Sequence, residues 1–203
     1  MGAETPELIP ILASSRYVFF PHTHLSIHIP RSFYEQIEQC PLAVDRSLGI
    51  VLRNVPLTDR VRILPIGCVG KIVQVHLLPC GRGVHLDLHG VQRFRIANEC
   101  FIKGYSCAWV EKIADLPQML APEKKRYLLK ILKEARRPHW DPENDGEIDE
   151  GFLNQLCTSS DLSPMDKYFL LEAETPNDRC GRFADLLRFN AEGIGFTSPD
   201  RNG

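Results

Sequence analysis

Residues 66–96 read IGCVGKIVQVHLLPCGRGVHLDLHGVQRFRI, and this stretch decides the fold. Alternate residues of Val69–Leu77 share one face of a predicted strand, and the apolar residues of Val84–Leu88 share one face of a second. Between them, Pro79-Cys-Gly-Arg-Gly83 favours a turn, because glycine adopts positive φ angles without strain. The pattern predicts a β-hairpin with one buried and one polar face, the polar face carrying His85, Asp87 and His89.

Strand-like composition extends over the first half of the chain, from Ile9 to Ile113, where β-branched and aromatic residues lie between glycines and prolines. A second hairpin is predicted to turn at Lys103-Gly104. Ser32 and Glu35 have the spacing of a capping box, which predicts a short helix from about Phe33 to Cys40. Strand pairs joined by short turns imply an antiparallel or mixed barrel or sandwich.

Helical periodicity replaces the strand pattern from Asp115 onward. Pro122 fits the first turn of a helix whose apolar stripe runs from Tyr127 to Ala135. Further helices are predicted at about residues 149–157, 164–173 and 176–189, the last two after the start signals Ser163-Pro164 and Thr175-Pro176. We therefore expect an α+β protein with a sheet subdomain at residues 1–113, a helical subdomain at 114–192 and a disordered tail at 193–203.

The composition is that of a globular protein, with 43% hydrophobic residues and a formal net charge of −2 over 203 residues. It excludes collagen, a coiled coil and full disorder. No apolar run is long enough to span a membrane, and the acidic start differs from a secretion signal. Seven cysteines without a close pair in sequence predict reduced thiols and a cytoplasmic location.

The sequence lacks the motifs of common enzymes. A P-loop, a complete dinucleotide-binding glycine motif and a serine-hydrolase elbow are all absent. We therefore predict no catalytic residue and no cofactor, and a metal-dependent enzyme is kept only as an alternative that rests on the histidines.

Those histidines fit a polar sheet face better than a metal site. Residues two apart on one strand face lie about 6.6 Å apart, and residues four apart about 13 Å. His85 and His89 therefore cannot share an ion on a regular strand, since zinc lies about 2.1 Å from each ligand nitrogen. His22, His24 and His28 lie close in sequence, and His76 faces His85 only in one hairpin register. We expect no metal site.

An acidic segment, Asp141–Phe152, resembles a calcium-binding EF-hand loop. Its twelfth position is Phe152, which cannot supply the bidentate carboxylate that such a loop needs. We expect an acidic linker, with calcium binding left open.

Several motifs occur in one order and spacing over most of the chain, from about Ile9 to Phe189. They include Ile9-Pro-Ile-Leu with Val18-Phe-Phe-Pro21, Leu48–Leu52 and Leu162–Glu172. The most specific block consists of Ile66–Ile72, Leu78–Gly81 and Leu88–Ile96. In these the chain resembles the Lon protease amino-terminal domain family, although it departs from the pattern at Pro30-Arg31 and Phe33. The resemblance implies a PUA-like β-barrel subdomain with a short helix, followed by a C-terminal α-helical bundle. It also implies a set of scaffold residues, namely Gly49, Gly67, Gly81, Gly90, Arg93 and Phe94.

The resemblance implies a non-catalytic domain that recognises polypeptide substrates and takes part in assembly between copies. We expect a stand-alone Lon-domain protein that binds polypeptides or a protein partner in protein quality control. Its expected peptide-binding residues are Phe20, Pro21, Phe33 and Tyr34, for which core packing is the alternative.

Binding of RNA is the second alternative, since PUA-like barrels elsewhere bind it. It would use Arg53, Arg60, Arg62, Arg93 and Arg95, with Tyr17 and Tyr105 as stacking residues. The small net charge speaks against a nucleic-acid partner, and no membrane partner is expected.

Overall fold

The computed structural model describes residues 7–39, 46–54, 62–79, 81–102, 105–114, 119–134 and 148–191. Strands make up most of the first half of these residues, and helices make up most of the second half. In chain order the elements are β1 (Glu7–Ser14), β2 (His24–Pro30), α1 (Arg31–Gln39), β3 (Ser47–Asn54), β4 (Arg62–Leu77), β5 (Gly83–Ile102), β6 (Tyr105–Lys112), α2 (Pro122–Glu134), α3 (Glu150–Ser159), α4 (Pro164–Leu171) and α5 (Pro176–Ala191).

The strands form one mixed sheet in the order β2-β5-β4-β3-β1-β6. β1 and β3 are parallel, and the other pairs are antiparallel. The long strand β5 pairs with β2, β4 and β6. Because β5 pairs with both β4 and β6, the strands β4, β3, β1, β6 and β5 form a circuit in which each pairs with the next and the last with the first. The expected mixed α+β class is confirmed.

Both predicted hairpins are present. In the first, Leu77 of β4 faces Val84 of β5, and Gly81 in the connecting turn has a φ of 68°. In the second, Ile102 of β5 faces Tyr105 of β6, while residues 103–104 lie outside the described ranges.

The buried face of β4 differs from the simple alternation that the sequence suggests. Up to Ile72 the buried side chains of β4 are those of Ile66, Cys68 and Ile72, whereas Lys71 lies on the exposed face. The register to β5 shifts between Ile72 and Gln74, which inserts one extra residue, Val73. The alternate residues from Val69 to Leu77 therefore do not share one face, because the bulge at Val73 moves those after it to the opposite face of the strand.

Helix α1 begins earlier than its predicted capping box. It starts at Arg31, directly after β2, so Ser32 lies inside the first turn rather than in front of it. The first helical N–H, that of Arg31, donates to the carbonyl of Arg82 in the β4–β5 turn at 3.0 Å. A backbone acceptor from the hairpin thus satisfies a group that would otherwise need a side-chain cap.

Close backbone packing holds the sheet together at two glycines. A Cβ on Gly67 would lie 2.5 Å from the carbonyl oxygen of Ile50 and 2.7 Å from the ring of Phe94. A Cβ on Gly90 would lie 2.1 Å from the carbonyl oxygen of Phe20. Glycine is required at both positions, because any side chain would push the neighbouring backbone away.

The described residues pack as two compact units. One contains Met1–Leu116 together with Asn154–Glu172, and the other contains Pro117–Leu153 together with Ala173–Gly203. Helix α4 and the later part of α3 thus belong to the unit of the sheet. The domain boundaries expected from the sequence, and the single C-terminal bundle, stay predictions.

The helix starts of the second half agree with their sequence signals. The hydroxyl of Ser163 accepts the N–H of Asp166 at 3.1 Å and caps α4. The hydroxyl of Thr175 accepts the N–H of Asp178 at 3.1 Å in front of α5. In the second unit, the Asn177 side chain of α5 accepts the N–H of Ala121 at 2.7 Å, directly before α2.

We expect Gly90→Ala to lower the free energy of unfolding by about 2–3 kcal/mol, because the new methyl group overlaps the backbone of Phe20. Urea unfolding followed by circular dichroism measures it. Gly181→Ala in α5 is the control, since its Cβ would meet only the flexible end of Lys124 at 3.0 Å. We expect that exchange to be neutral or to stabilise by up to about 1 kcal/mol. Equal midpoints for both variants would contradict the close packing at Gly90.

Candidate functional site

A pocket of about 520 Å³ lies beside α1, where β3 begins. Helix α1 supplies one wall, and the residue before β3 supplies a second side. The pocket combines an apolar floor with charged and hydroxyl groups, since its lining residues are Tyr34, Ile37, Glu38, Arg46 and Ile72.

The polar groups of this pocket interact with one another. The hydroxyl of Tyr34 donates to Oε1 of Glu38 at 2.6 Å. Burial and the Glu38 carboxylate raise the pKa of Tyr34, while Arg46 beside the hydroxyl acts in the opposite direction. The pocket therefore presents a donor cation, an acceptor carboxylate and a neutral phenol above two isoleucine side chains. Such a set can bind an apolar group flanked by peptide donors and acceptors.

The four residues expected to bind peptide lie in different environments. Phe20 and Pro21 are buried, which is the core-packing alternative that the sequence left open. The carbonyl of Pro21 accepts the Asn154 side chain at 3.1 Å, so this turn joins the sheet to α3 within one unit. Phe33 packs half-buried against the core beneath α1, and Tyr34 lines the pocket. A role of Phe33 and Tyr34 in peptide binding stays a prediction.

Sequence reasoning missed the other residues of the pocket. Glu38 follows Tyr34 by one helical turn, and this spacing was a usable signal for a shared face. Ile72 and Arg46 carry no such signal. They meet α1 only because β3 pairs with β4 in a register that places Ser47 opposite Lys71.

The scaffold residues lie at separate places in the sheet and its turns rather than in one site. Cβ atoms added to Gly49 and Gly67 would both meet the ring of Phe94, which is fully buried among the strands. Gly90 packs against the backbone of Phe20. Gly81 lies in the hairpin turn, where an added Cβ would meet no atom within 4 Å. These positions serve packing and turn geometry, as the sequence pattern suggests.

Arg93 joins the sheet to α4. Its side chain is 1% exposed, and its Nη1 donates to the carbonyl of Leu171 at 2.6 Å. Nearby, the hydroxyl of Tyr168 accepts the backbone N–H of Ile66 at 3.2 Å, and burial raises the pKa of Tyr168. Arg93 is thus an internal residue, and its expected place in a surface arginine patch for RNA is wrong.

The other residues of the expected RNA surface have different degrees of exposure. Arg53, Arg62 and Arg95 are exposed, and Tyr17 is half-buried against the core. Arg60 and the side chain of Tyr105 lie outside the described residues, as do residues 141–147 of the acidic segment.

A polar face covers the layer formed by β2, β5 and β4. Three rows cross its strands, in which side chains of neighbouring strands lie directly opposite one another. His85 is central, since its Nδ1 lies 3.1 Å from Nε2 of His28 and its Nε2 lies 3.2 Å from Oδ1 of Asp87. The rows are Lys71–His89–His24, Gln74–Asp87–Ser26 and His76–His85–His28.

These histidines belong to a polar network on the exposed face of the layer. Within the described residues, no three His, Cys, Asp or Glu side chains are grouped so that they could hold an ion. The hydroxyl of Ser26 donates to Asp87, and this bond together with His85 lowers the pKa of the carboxyl group.

Two cysteines that are seven positions apart in the sequence lie opposite one another in the second hairpin. Cys100 of β5 lies opposite Cys107 of β6. Neither forms a disulfide bond, and the same holds for the other described cysteines, Cys68, Cys157 and Cys180. The two-residue hairpin turn alone would have brought them together, since it fixes the register of the flanking strands.

As for membranes, each described helix is too short or too polar to cross a bilayer.

Comparison with known proteins relates nearly the whole described region to one family. The family model of the ATP-dependent protease La (LON) substrate-binding domain matches residues 8–188. No curated protein sequence matches the chain.

Two solved structures have a similar fold. A Lon N-terminal domain protein from Xanthomonas campestris is 17% identical with a TM-score of 0.66. The N-terminal domain of the Mycobacterium avium complex Lon protease is 21% identical with a TM-score of 0.68. Each comparison covers 90% of this chain and 98% of the other.

We expect Arg93→Met to lower the free energy of unfolding by about 2–3 kcal/mol, because the buried carbonyl of Leu171 loses its charged donor. Arg95→Met is the matched control on the same strand, where the side chain is exposed and the cost should stay within about 0.5 kcal/mol. Urea unfolding measures both. The assignment of Arg93 as the link to α4 fails if the two variants unfold at the same urea concentration.

We expect Ser26→Ala to raise the pKa of Asp87 toward its ordinary value, since the variant removes the strongest cause of the downward shift. A lowered pKa in the folded state means that Asp87 favours folding above its unfolded pKa, and that this contribution disappears as the pH falls through the folded value. Carbon-13 NMR titration of the Asp87 carboxyl measures the shift. Ser32→Ala in α1 is the control, and an unchanged titration in Ser26→Ala would refute the assignment.

Proposed function

This chain belongs to the ATP-dependent protease La (LON) substrate-binding domain family, and we propose on that premise that it binds polypeptide segments in non-native conformations. The observation that carries the proposal is the family match over residues 8–188. A substrate-binding domain acts by recognition, so its chemistry is binding rather than catalysis. The partner is then a polypeptide substrate.

The pocket beside α1 supports the proposal because its groups suit a polypeptide. Ile37 and Ile72 offer an apolar surface for a side chain that a folded protein would bury. Glu38 and Arg46 offer one acceptor and one donor for the peptide groups on either side. Unfolded chains expose both features together, whereas folded proteins hide them.

The finer parts of the proposal concern setting and architecture. We place the protein in the cytoplasm as a recognition partner in protein quality control, where it delivers clients without degrading them. Association between copies belongs to the same proposal. The circuit of strand pairing through β4, β3, β1, β6 and β5 supports a PUA-like barrel as the scaffold.

Fluorescence anisotropy of labelled, reduced and carboxymethylated lactalbumin tests the proposal. This polypeptide stays unfolded, so we expect saturable binding, while native lactalbumin should not bind. Glu38→Lys reverses the charge at the pocket and removes the acceptor of Tyr34, and we expect it to weaken binding about fivefold to tenfold.

The matched control is Glu35→Lys, which makes the same exchange on the same helix. Glu35 is exposed, pairs with Arg31 at 2.8 Å and does not line the pocket. We expect its affinity to stay within about twofold of the original, because surface pairs of this kind contribute little. Binding of native and unfolded lactalbumin with equal affinity, or of neither, would overturn the proposal.

A further inference from the structure

The strand β4 extends beyond its neighbour β3. Pairing between them begins at Ser47 of β3 opposite Lys71 of β4. From Ile72 to Leu77, β4 pairs with β5 on one side. On its other side, no described residue forms a ladder with it. Alternate backbone N–H and C=O groups of an edge strand point outward, and they can accept another strand.

The chain turns away at the point where β3 could have continued. Arg46, immediately before β3, has a φ of 57°, which lies outside the strand conformation. On this side no described residue pairs with β4 at Ile72, and Arg46 lines the pocket. The pocket and the bare edge are therefore adjacent.

The core face of the layer is apolar and uncovered along this edge. Leu77 faces Val84, which is fully buried, so both side chains lie on the core face, yet Leu77 is 61% exposed. Val75 faces the buried Leu86 and packs only partly against the core beneath α1. The side chain of Val73, the extra residue at the bulge, is 53% exposed.

Beyond the bulge at Val73, the edge lacks two residue types that protect natural edge strands. Its regular part, Gln74–Leu77, reads QVHL and contains neither lysine nor proline. The opposite edge of the layer differs, because β2 ends in Pro30 and buries Ile27 and Ile29 on the core face. The described part of the β4 edge thus combines a ladder side without a partner strand, exposed apolar side chains and a pocket.

We propose that a polypeptide binds as an additional antiparallel or parallel strand along Gln74–Leu77 of β4, with an apolar side chain in the pocket beside α1. The inference deepens the proposed function and rests on it. The added strand pairs its backbone with β4 and covers Leu77 and Val75 with every second side chain. Its chemistry is that of any extended segment with alternating apolar residues, so recognition depends on the backbone and on hydrophobicity rather than on one sequence.

Backbone pairing is tested with a synthetic peptide of alternating valine and threonine that carries a lysine pair at each end. In an added strand only every second N–H points at the partner. N-methylation of one alternate set of amides should therefore weaken binding about tenfold or more, while N-methylation of the other set should leave it within about twofold. Isothermal titration calorimetry measures the three affinities.

The surface is tested with Leu77→Lys, which places a charge where the added strand would cover an apolar side chain. We expect about tenfold weaker binding of the unmodified peptide. Val91→Lys is the control, since Val91 is 48% exposed on β5 beside Gly70, where β3 covers the neighbouring strand. We expect it to leave the affinity unchanged. Amide hydrogen exchange of residues 72–77 should slow when the peptide binds and should not slow at β2.

The two proposals fail in distinguishable ways. If unfolded lactalbumin binds but both N-methylated peptides bind alike and Leu77→Lys has no effect, strand addition is wrong and the proposed function stands. If Leu77→Lys changes only the molar mass of the protein in light scattering, the edge pairs with a second copy of this chain and the inference is overturned. If no unfolded polypeptide binds, both proposals fall.

Discussion

A guanidinium group buried against the end of a helix determines how the sheet and α4 are joined. Placing Arg93 away from water carries a cost that only charged or polar partners can offset. The carbonyl of Leu171 meets this need at the C-terminal end of α4, where the helix dipole is negative. The bond between Tyr168 and the N–H of Ile66 supplies a second contact from the same helix. With both in place, α4 has one position on the sheet, and the buried ring of Phe94 beside Arg93 keeps its place against the glycines.

The pocket and the bare edge have one common cause, which is the point at which β3 begins. Because Arg46 leaves the strand conformation there, β4 continues past the end of its partner. No described strand continues β3 at this point, which leaves a concave site beside α1 and, along β4, backbone groups that pair with no described strand on that side. A site of this origin needs no special side-chain chemistry, which agrees with a sequence that carries no recognisable catalytic motif.

Local features of the chain were predictable, and those that depend on pairing were not. The hairpins and the caps at Ser163 and Thr175 follow from short-range signals, and the structure contains them. The buried face of β4 was not predictable, because the bulge at Val73 arises from its register with β5. The start of α1 was misplaced for a similar reason, since its first N–H finds a partner in the distant hairpin turn.

The link between Arg93 and Leu171 has a consequence for synthesis of the chain. The two residues are 78 positions apart, so at roughly 5–20 residues per second the sheet waits about 4–16 s on the ribosome for the helix that completes it. During that interval, the guanidinium of Arg93 and the N–H of Ile66 do not yet have their acceptors on α4, and the face that α4 covers stays open. The nascent chain thus exposes a face that the finished protein buries, and factors that shelter nascent chains would contact it there.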